Sequence, residues 1–263
     1  MIKLKNIQLE IIEIITAYVN EEQLQWLKSA RNKLKSSSDL INELLMTSST
    51  IRRSLNVNDV NEKPLFINDK YYSLDVIVRC LLILDSITVL TNSSKSACQA
   101  ETVNKIVKDY YQFGDEHEKC ALLSTLYIFD TQGDALSTAI RACRCNSHNE
   151  YSAIAIDNPY PARFFPEANF NQLVLKSLFM GLNIKQIQGL KERLNETLSN
   201  MSFRYAIEQA LANRVPPASL WYSVRLDDLN KENKQLQQQY LEHFKQACSS
   251  HRETILSLFE TAE

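Results

Sequence analysis

Residues 73–90 read SLDVIVRCLLILDSITVL, a stretch that is apolar on nearly every side when it is drawn as an α-helix. A helix of that kind is stable when other elements cover it. Ser73, a residue type favoured at helix N-caps, marks its start. The stretch therefore predicts a central helix surrounded by other helices.

Shorter helices are predicted on both sides of this central helix. Before it, apolar residues recur at three- and four-residue steps from Leu4 to Tyr18, and helical patterns also cover 23–34 and 40–46. After it, helices with short connections are predicted at 101–113, 115–129, 134–145 and 149–156. Helices joined this closely must pack against their neighbours in sequence. We therefore predict an all-α fold, an irregular stack of helical hairpins like a HEAT-type α-α superhelix, with a loop at 56–70.

Length and composition limit the classes of protein to which the chain can belong. A chain of 263 residues suits one domain, over residues 1–263, without disulfide bonds. With 29 basic and 31 acidic side chains, it lacks the positive charge of a nucleic-acid-binding protein. Four glycines are too few for the phosphate loops that hold nucleotide cofactors. We therefore expect no nucleic-acid partner and no cofactor.

The N-terminal helix and the cysteines bear on the cellular compartment. Charged residues interrupt the first helix, so it has the pattern of neither a signal peptide nor a transmembrane segment. The six cysteines are scattered through helical patterns, as in proteins with reduced thiols. Both observations favour a cytoplasmic protein without a transmembrane segment.

The tail, residues 227–260, carries apolar residues mostly at helical spacing around a polar, glutamine-rich middle. It predicts one long C-terminal helix. In the simpler interpretation this helix packs on its own domain. In the alternative it forms a homodimer contact, because its middle is weakly apolar for a core helix.

Three of the six prolines lie within eight residues of one segment, DNPYPARFFPEANFNQLVLK at 157–176. A residue that precedes proline avoids the helical region, so Asn158, Tyr160 and Phe165 are predicted to be extended. Pro166 is predicted to begin a new helix, where its missing N–H costs nothing. The chain is therefore expected to leave the helical stack here.

Polar side chains among apolar ones make this proline segment the candidate site. Asn171 falls in the apolar sector of the new helix, and we expect the proline loop to satisfy its amide. Arg144 and Arg163 are candidates to hold a carboxylate or phosphate, unless Arg144 pairs with Glu167. Tyr160 and nearby phenylalanines form an aromatic slot or ordinary core. The predicted ligand- or partner-binding residues are Arg144, Asn158, Tyr160, Arg163, Glu167, Asn171, Gln172 and Lys176.

Motifs for catalysis and for metal binding are weak. None of the four histidines follows a nucleophile motif. Cys143, Cys145 and His148 form a C-x-C-x-x-H run without a second ligand pair, so we predict no metal site. An enzyme that uses Glu167 or Lys176 as acid or base is the alternative, with arginines as anion anchors.

Four stretches resemble one protein family. They are GDEHEKCALL at 114–123, RACRCNS at 141–147, AIAIDNPYPARFFPEANFNQLVLKSLFMG at 153–181 and VPPASLW at 215–221. Together they are similar to the EboA-like family of bacterial metabolite-traffic proteins, with the motif-bearing core at about 73–225. The resemblance implies a cytosolic helical protein encoded beside a UbiA-type prenyltransferase and other enzymes, in gene clusters that move prenylated or aromatic metabolites.

Three functions follow as hypotheses. The first, which we expect, is a non-enzymatic escort or binding protein for an aromatic or prenylated metabolite, or for the enzymes of its cluster, with the proline segment as its site. The second is an enzyme acting on a polar-headed aromatic intermediate. The third is a scaffold that gathers other proteins of the cluster.

Overall fold

Helices form almost all the regular structure of the computed structural model, which describes residues 2–57, 65–67, 70–93, 99–247 and 249–260. The prediction of an all-α fold is confirmed. By its internal packing the chain divides into two compact units, Met1–Ile154 and Ala155–Glu263. The expectation that residues 1–263 form one domain stays a prediction, because the division into units does not test it.

The first unit contains a series of helices and one short hairpin. In chain order its elements are α1 (Ile2–Tyr18), α2 (Glu21–Ser36), α3 (Leu40–Ser54), β1 (Leu65–Ile67), β2 (Lys70–Tyr72), α4 (Leu74–Ser93), α5 (Gln99–Phe113), α6 (Glu116–Phe129), α7 (Leu136–Ala142) and α8 (His148–Ala155), whose last residue begins the second unit.

Helix α4 lies at the centre of the first unit, as its sequence predicts. It contacts α1, α2, α3, α5 and α6, and Ile77, Leu81 and Leu84 on it are fully buried. Each such side chain stabilises the fold by about 1.5–3 kcal/mol relative to an exposed one. Neighbours in sequence, such as α2 with α3 and α5 with α6, also pack on each other, as a stack of helical hairpins requires.

Two carboxylates of α4 are buried, and each contacts an arginine. Asp85 accepts hydrogen bonds from Nε of Arg31 at 2.6 Å, from Nη2 of Arg31 at 3.0 Å and from Nε2 of Gln8 at 3.1 Å. Asp75 forms an ion pair with Arg79, one turn further along α4. These contacts offset the desolvation of the carboxylates, which would otherwise cost several kcal/mol.

The loop predicted after α3 contains a β-hairpin instead. Strands β1 and β2 pair antiparallel. Leu65 and Ile67 are buried and Phe66 between them is exposed, which is the period-two alternation of a strand on a core. The predicted loop is therefore wrong at this point, because apolar contacts outweigh the polar flanking residues. Its positions 58–64 and 68–69 lie outside the described residues.

Two helices differ most in length from the prediction. Helix α3 continues to its fifteenth residue because Ile51 is buried and the hydroxyl of Ser48 hydrogen-bonds to that of Tyr110 at 2.6 Å. Helix α7 begins later than predicted, since the Asp130 carboxylate accepts the backbone N–H groups of residues 133–135 at 2.8–2.9 Å. The longer α3 thus depends on a contact distant in sequence. The later start of α7 is due to a side chain that competes with the helix for backbone N–H groups.

The second unit consists of short helices and 3₁₀ turns. Its α-helices are α9 (Pro159–Phe164), α10 (Glu167–Phe179), α11 (Glu196–Leu211), α12 (Lys231–Ala247) and α13 (Ser249–Glu260). Its 3₁₀ helices are Ile184–Gln186, Ala218–Ser223 and Leu226–Asp228.

The tail forms two helices, α12 and α13, where one long helix was predicted. The ring centroids of Phe244 on α12 and His251 on α13 are 5.2 Å apart, whereas seven residues of one helix rise about 10.5 Å. Trp221 is fully buried and donates a hydrogen bond from Nε1 to Nδ1 of His251 at 2.8 Å. The two helices therefore pack together around the indole ring of their own unit. A homodimer through the tail stays a prediction.

Candidate ligand-binding site

The proline segment forms a short helix, α9. Pro159 and Pro161 occupy its first turn, where backbone N–H groups have no acceptor within the helix and their loss costs nothing. Asn158 caps the helix, because its Oδ1 accepts a hydrogen bond from the N–H of Tyr160 at 3.0 Å. Asn158 and Phe165 are extended as predicted. The prediction for Tyr160 is wrong, because the cap outweighs the effect of proline on the preceding residue.

Arg193 holds the other end of α9. Its Nη1 donates hydrogen bonds to the carbonyl oxygens of Pro161 and Ala162, both at 3.1 Å, and its guanidinium carbon lies 4.4 Å from the ring centroid of Phe170 on α10. The carbonyl oxygen of Pro161 also accepts the N–H of Phe165 at 3.0 Å, whereas that of Ala162 lies in the last turn, where carbonyl groups lack partners within the helix. A guanidinium group is also attracted to an aromatic face. Arg193 therefore ties α9 to α10, a role that the sequence analysis missed.

Asn171 and Asn195 form a reciprocal pair of side-chain amides. Nδ2 of Asn171 donates to Oδ1 of Asn195 at 3.2 Å, and the return bond is 3.0 Å long. Asn195 also caps α11, since the N–H of Leu198 donates to its Oδ1 at 2.9 Å. The expectation that the proline loop satisfies Asn171 is therefore wrong, because a residue 24 positions away supplies the partner amide.

The segment between α10 and α11 lies directly against α9 and the residues before it. The backbone N–H of Asp157 donates to the carbonyl oxygen of Gln186 at 2.9 Å. Gly189 has a φ of +72°, and a Cβ at this position would lie 2.6 Å from the Cβ of Ala162. Glycine permits both the left-handed conformation and the close approach. The proline segment thereby positions the 3₁₀ helix that contains Gln186.

The predicted site residues fall into a buried group and a more exposed group. Asn158, Tyr160 and Asn171 are buried, and Lys176 is half-buried. The predicted aromatic slot is filled by packing, since the rings of Tyr160 and Phe164 are 4.8 Å apart and Tyr160 has no exposed surface. The exposed members are Arg144, Arg163, Glu167 and Gln172. Arg144 belongs to the first unit and the other seven residues belong to the second.

Glu167 and Lys176 do not come together on α10. They are nine residues apart, which at 100° and 1.5 Å per residue places them on opposite sides of the helix and about 13.5 Å apart along its axis. An acid and a base that act on one bound atom must both come within hydrogen-bond reach of it. The geometry of α10 therefore does not favour these two residues as an acid–base pair.

An open cleft of about 360 Å³ lies in the second unit, next to the 3₁₀ helix that the proline segment positions. Its walls come from the residues after α10, from the second 3₁₀ helix and from α13. They are Gly181, Asn183, Lys185, Pro217, Ala218, Ser219, Tyr222 and Thr254. We call this the Lys185–Tyr222 cleft. None of these residues was predicted, although Gly181 ends the longest quoted stretch and residues 217–219 lie in VPPASLW.

Three side chains of the cleft, Lys185, Asn183 and Ser219, carry hydrogen-bond donors for which the described residues supply no acceptor. Nζ of Lys185 lies 5.5 Å from the ring centroid of Tyr222, and Lys185 forms no ion pair within the described part of the chain. Oδ1 of Asn183 accepts the N–H of Lys185 at 3.2 Å, which leaves the Asn183 Nδ2 group available. Oγ of Ser219 is buried and has no hydrogen-bond partner among the described residues. A bound molecule can accept hydrogen bonds from the exposed side chains of Lys185 and Asn183.

Buried contacts hold the walls of the cleft from behind. The 3₁₀ helix Ile184–Gln186 packs on α10 and on the 3₁₀ helix Ala218–Ser223. Trp221 in the latter donates to Nδ1 of His251, so Nε2 of the imidazole carries the proton and donates to the carbonyl oxygen of Pro216 at 2.9 Å. Burial lowers the pKa of His251, which keeps the ring neutral at pH 7.

A hollow in the first unit is too small for an organic ligand. This hollow, which includes Leu4 and Ile87 in its lining, has a volume of about 10 Å³, which is about the space of one water molecule. No cluster of three or more His, Cys, Asp or Glu side chains suited to a metal ion occurs within the residues that the structure describes. Among the helices it describes, none combines the length and hydropathy of a membrane span.

Fold and cleft together define an all-α protein with a surface site of the size that small molecules occupy. A family model described as "Metabolite traffic protein EboA" matches residues 7–225. The chain therefore belongs to the EboA family, and the match begins about a hundred residues before the first stretch that carried the resemblance. Comparisons with curated proteins and with solved structures gave no match.

Proposed function

We propose that this protein is a non-enzymatic escort that binds a small metabolite in the Lys185–Tyr222 cleft. The general role follows from the family, whose description is metabolite traffic. The cleft volume of about 360 Å³ lies within the range of about 300–1,000 Å³ that small-molecule sites occupy. One observation carries the proposal: a lysine without an ion-pair partner among the described residues, the side-chain amide of Asn183 and an aromatic ring border the same open space.

The proline segment has a supporting role in this proposal. Asn158 caps α9, Tyr160 packs in the core and Asn171 pairs with Asn195, so we propose that these residues support the cleft instead of contacting the ligand. The backbone hydrogen bond from Asp157 to Gln186 holds the 3₁₀ helix at the position directly after Lys185. A rigid frame of this kind lowers the entropic cost of binding, because the polar groups are held in place before the ligand arrives.

Native mass spectrometry of the gently purified protein tests the proposal. The wild type is expected to retain a small molecule, and the retained fraction is expected to fall in Lys185→Ala and in Tyr222→Leu. Lys191→Ala is the matched control, since Lys191 is an exposed lysine of the same unit. If the cleft variants retain as much ligand as Lys191→Ala, the cleft is not the site.

A second proposal concerns the exposed residues of the proline segment and α10. Arg163 and Glu167 are exposed and form no ion pair with any described residue. Phe179 is 78% exposed and lies seven residues after exposed Gln172, on the same side of α10. Arginine and exposed aromatic side chains are enriched in protein interfaces. We propose that enzymes of the same gene cluster dock on this surface.

Pull-down from the native host separates docking from ligand binding. The double variant Arg163→Ala/Phe179→Ala is expected to capture less of the cluster's enzymes and to retain as much metabolite as the wild type. Lys185→Ala is expected to show the opposite behaviour. Equal capture by all three proteins would remove the docking surface and leave the cleft in place.

A further inference from the structure

We infer that the Lys185–Tyr222 cleft selects a ligand with a planar ring and an anionic group, such as an aromatic carboxylate, in preference to a prenyl chain. The inference rests on the proposed function, because it names the chemical class that the same cleft accepts. Three properties of the cleft support it: its charge, the direction of its hydrogen bonding and the shape of its apolar wall.

The charge of the cleft is positive. Among the described residues that line it, Lys185 is the one charged side chain, and none is an aspartate or a glutamate. The Lys185 ammonium group forms no ion pair within the described part of the chain. A cation without a counter-charge next to a low-dielectric wall attracts an anion and disfavours a second cation. The carboxylate of a ligand would supply the missing counter-charge.

The hydrogen-bonding groups of the cleft also favour a ligand rich in acceptors. Oδ1 of Asn183 is already used by the N–H of Lys185, so its side chain offers donors. The ammonium group of exposed Lys185 is a second donor beside it. Oxygen atoms of a carboxylate, sulfonate or phosphate accept bonds from such donors, whereas a hydrocarbon chain would leave them unsatisfied.

The apolar wall of the cleft is small and flat. It consists of the Tyr222 ring with Pro217 and Ala218, and at Gly181 an added Cβ would meet no atom within 4 Å, so this side is open. Aromatic rings stack on a face such as that of tyrosine. A prenyl chain gains affinity at about 0.8 kcal/mol per buried CH₂, and this wall offers few apolar contacts along which to bury one.

Calorimetric titration with matched probes tests the inference. The probes are naphthalene-2-carboxylate, its neutral analogue naphthalene-2-carboxamide, and geraniol as a short prenyl compound. The wild type is expected to bind the carboxylate about two- to fivefold more tightly than the carboxamide, as an ion pair with an exposed lysine implies. Geraniol is expected to bind more weakly than either naphthalene compound.

The variants identify the residue responsible for this preference. Lys185→Met, which keeps the chain length but removes the charge, is expected to bind carboxylate and carboxamide equally. Lys191→Met, the control, is expected to keep this preference of about two- to fivefold. Tyr222→Leu is expected to weaken both naphthalene compounds by a similar factor. Far-ultraviolet circular dichroism checks that each variant is folded.

The possible failures are distinguishable. Equal binding of carboxylate and carboxamide by the wild type, or a preference that survives in Lys185→Met, overturns the inference. Tight binding of geraniol alone overturns the inference and leaves the proposed escort function standing. If none of the three probes binds and the purified protein retains no small molecule, both the inference and the proposed function fail.

Discussion

Replacing Arg193 by alanine is expected to loosen the frame that positions the cleft. The change removes hydrogen bonds at 3.1 Å to the carbonyl oxygens of Pro161 and Ala162 and a contact at 4.4 Å with the ring of Phe170. Since one nitrogen serves both carbonyls, we count one charged hydrogen bond, about 1.5 kcal/mol, and about 1 kcal/mol for the guanidinium–ring contact. The expected loss in the free energy of unfolding is therefore about 2.5 kcal/mol.

Fluorescence can follow this loss in the second unit alone. The chain has two tryptophans, Trp26 in the first unit and Trp221 in the second. In a Trp26→Phe background the remaining indole reports the second unit. A loss of about 2.5 kcal/mol is expected to lower Tm by about 5–10 °C for a protein of this size. Arg193→Lys keeps the charge but not the planar fork, so it is expected to recover part of this difference.

The matched control for Arg193 is Arg204→Ala in the same background. The Arg204 side chain is 58% exposed and its ion pair is with Glu232, which is 64% exposed. Such surface pairs contribute about 0–1 kcal/mol. If both alanine variants lower Tm equally, Arg193 does not hold α9 to α10 in the way described, and the argument for a frame behind the cleft is refuted.

Three further changes test other parts of the second unit. Gly189→Ala is expected to lower the free energy of unfolding by about 1–3 kcal/mol in thermal unfolding. Gly181→Ala is expected to cost less, because its methyl group enters open space. Equal effects would contradict the close approach of Gly189 to Ala162. Asn171→Ala is expected to lower the free energy of unfolding by about 1–3 kcal/mol in urea. The double variant Asn171→Ala/Asn195→Ala is expected to lose less than the sum of the two single losses. Additive losses would show that the two amides are not coupled. Burial lowers the pKa of His251 below its ordinary value, so its contribution to stability is complete above about pH 6.5 and is lost as the pH falls below it. The wild-type Tm should therefore fall more than that of His251→Gln between about pH 7 and pH 5, and parallel curves would exclude this role.

Local pattern was sufficient for the elements whose contacts are local. The apolar surface of α4 predicted its central position, and the proline rule predicted the extended backbone at Asn158 and Phe165. The same rule failed at Tyr160, because an N-cap two residues earlier supplies a competing local contact. The strand at Leu65 was missed, since three residues are too short a run for alternation to stand out.

The cleft itself could not be predicted from local pattern. Lys185 is ordinary in its own sequence surroundings and gains its setting from Tyr222, 37 positions later. Arg193 contacts α9 and Asn195 contacts α10, with partners 24–32 positions earlier in the chain. The resemblance gave an indirect signal, because two of its stretches contribute walls to the cleft, but nothing in them marks the lysine between them.

The buried carboxylates of α4 have a consequence for assembly. A helix that is apolar on almost all sides could shift along its axis by one turn, about 5.4 Å, and still pack against apolar side chains. Such a slip would separate Asp85 from Arg31 on α2 and from Gln8 on α1, leaving a charge inside hydrocarbon at a cost of several kcal/mol. The polar contacts therefore add little net stability. Their effect is to select a single register for α4, because they raise the free energy of the shifted registers.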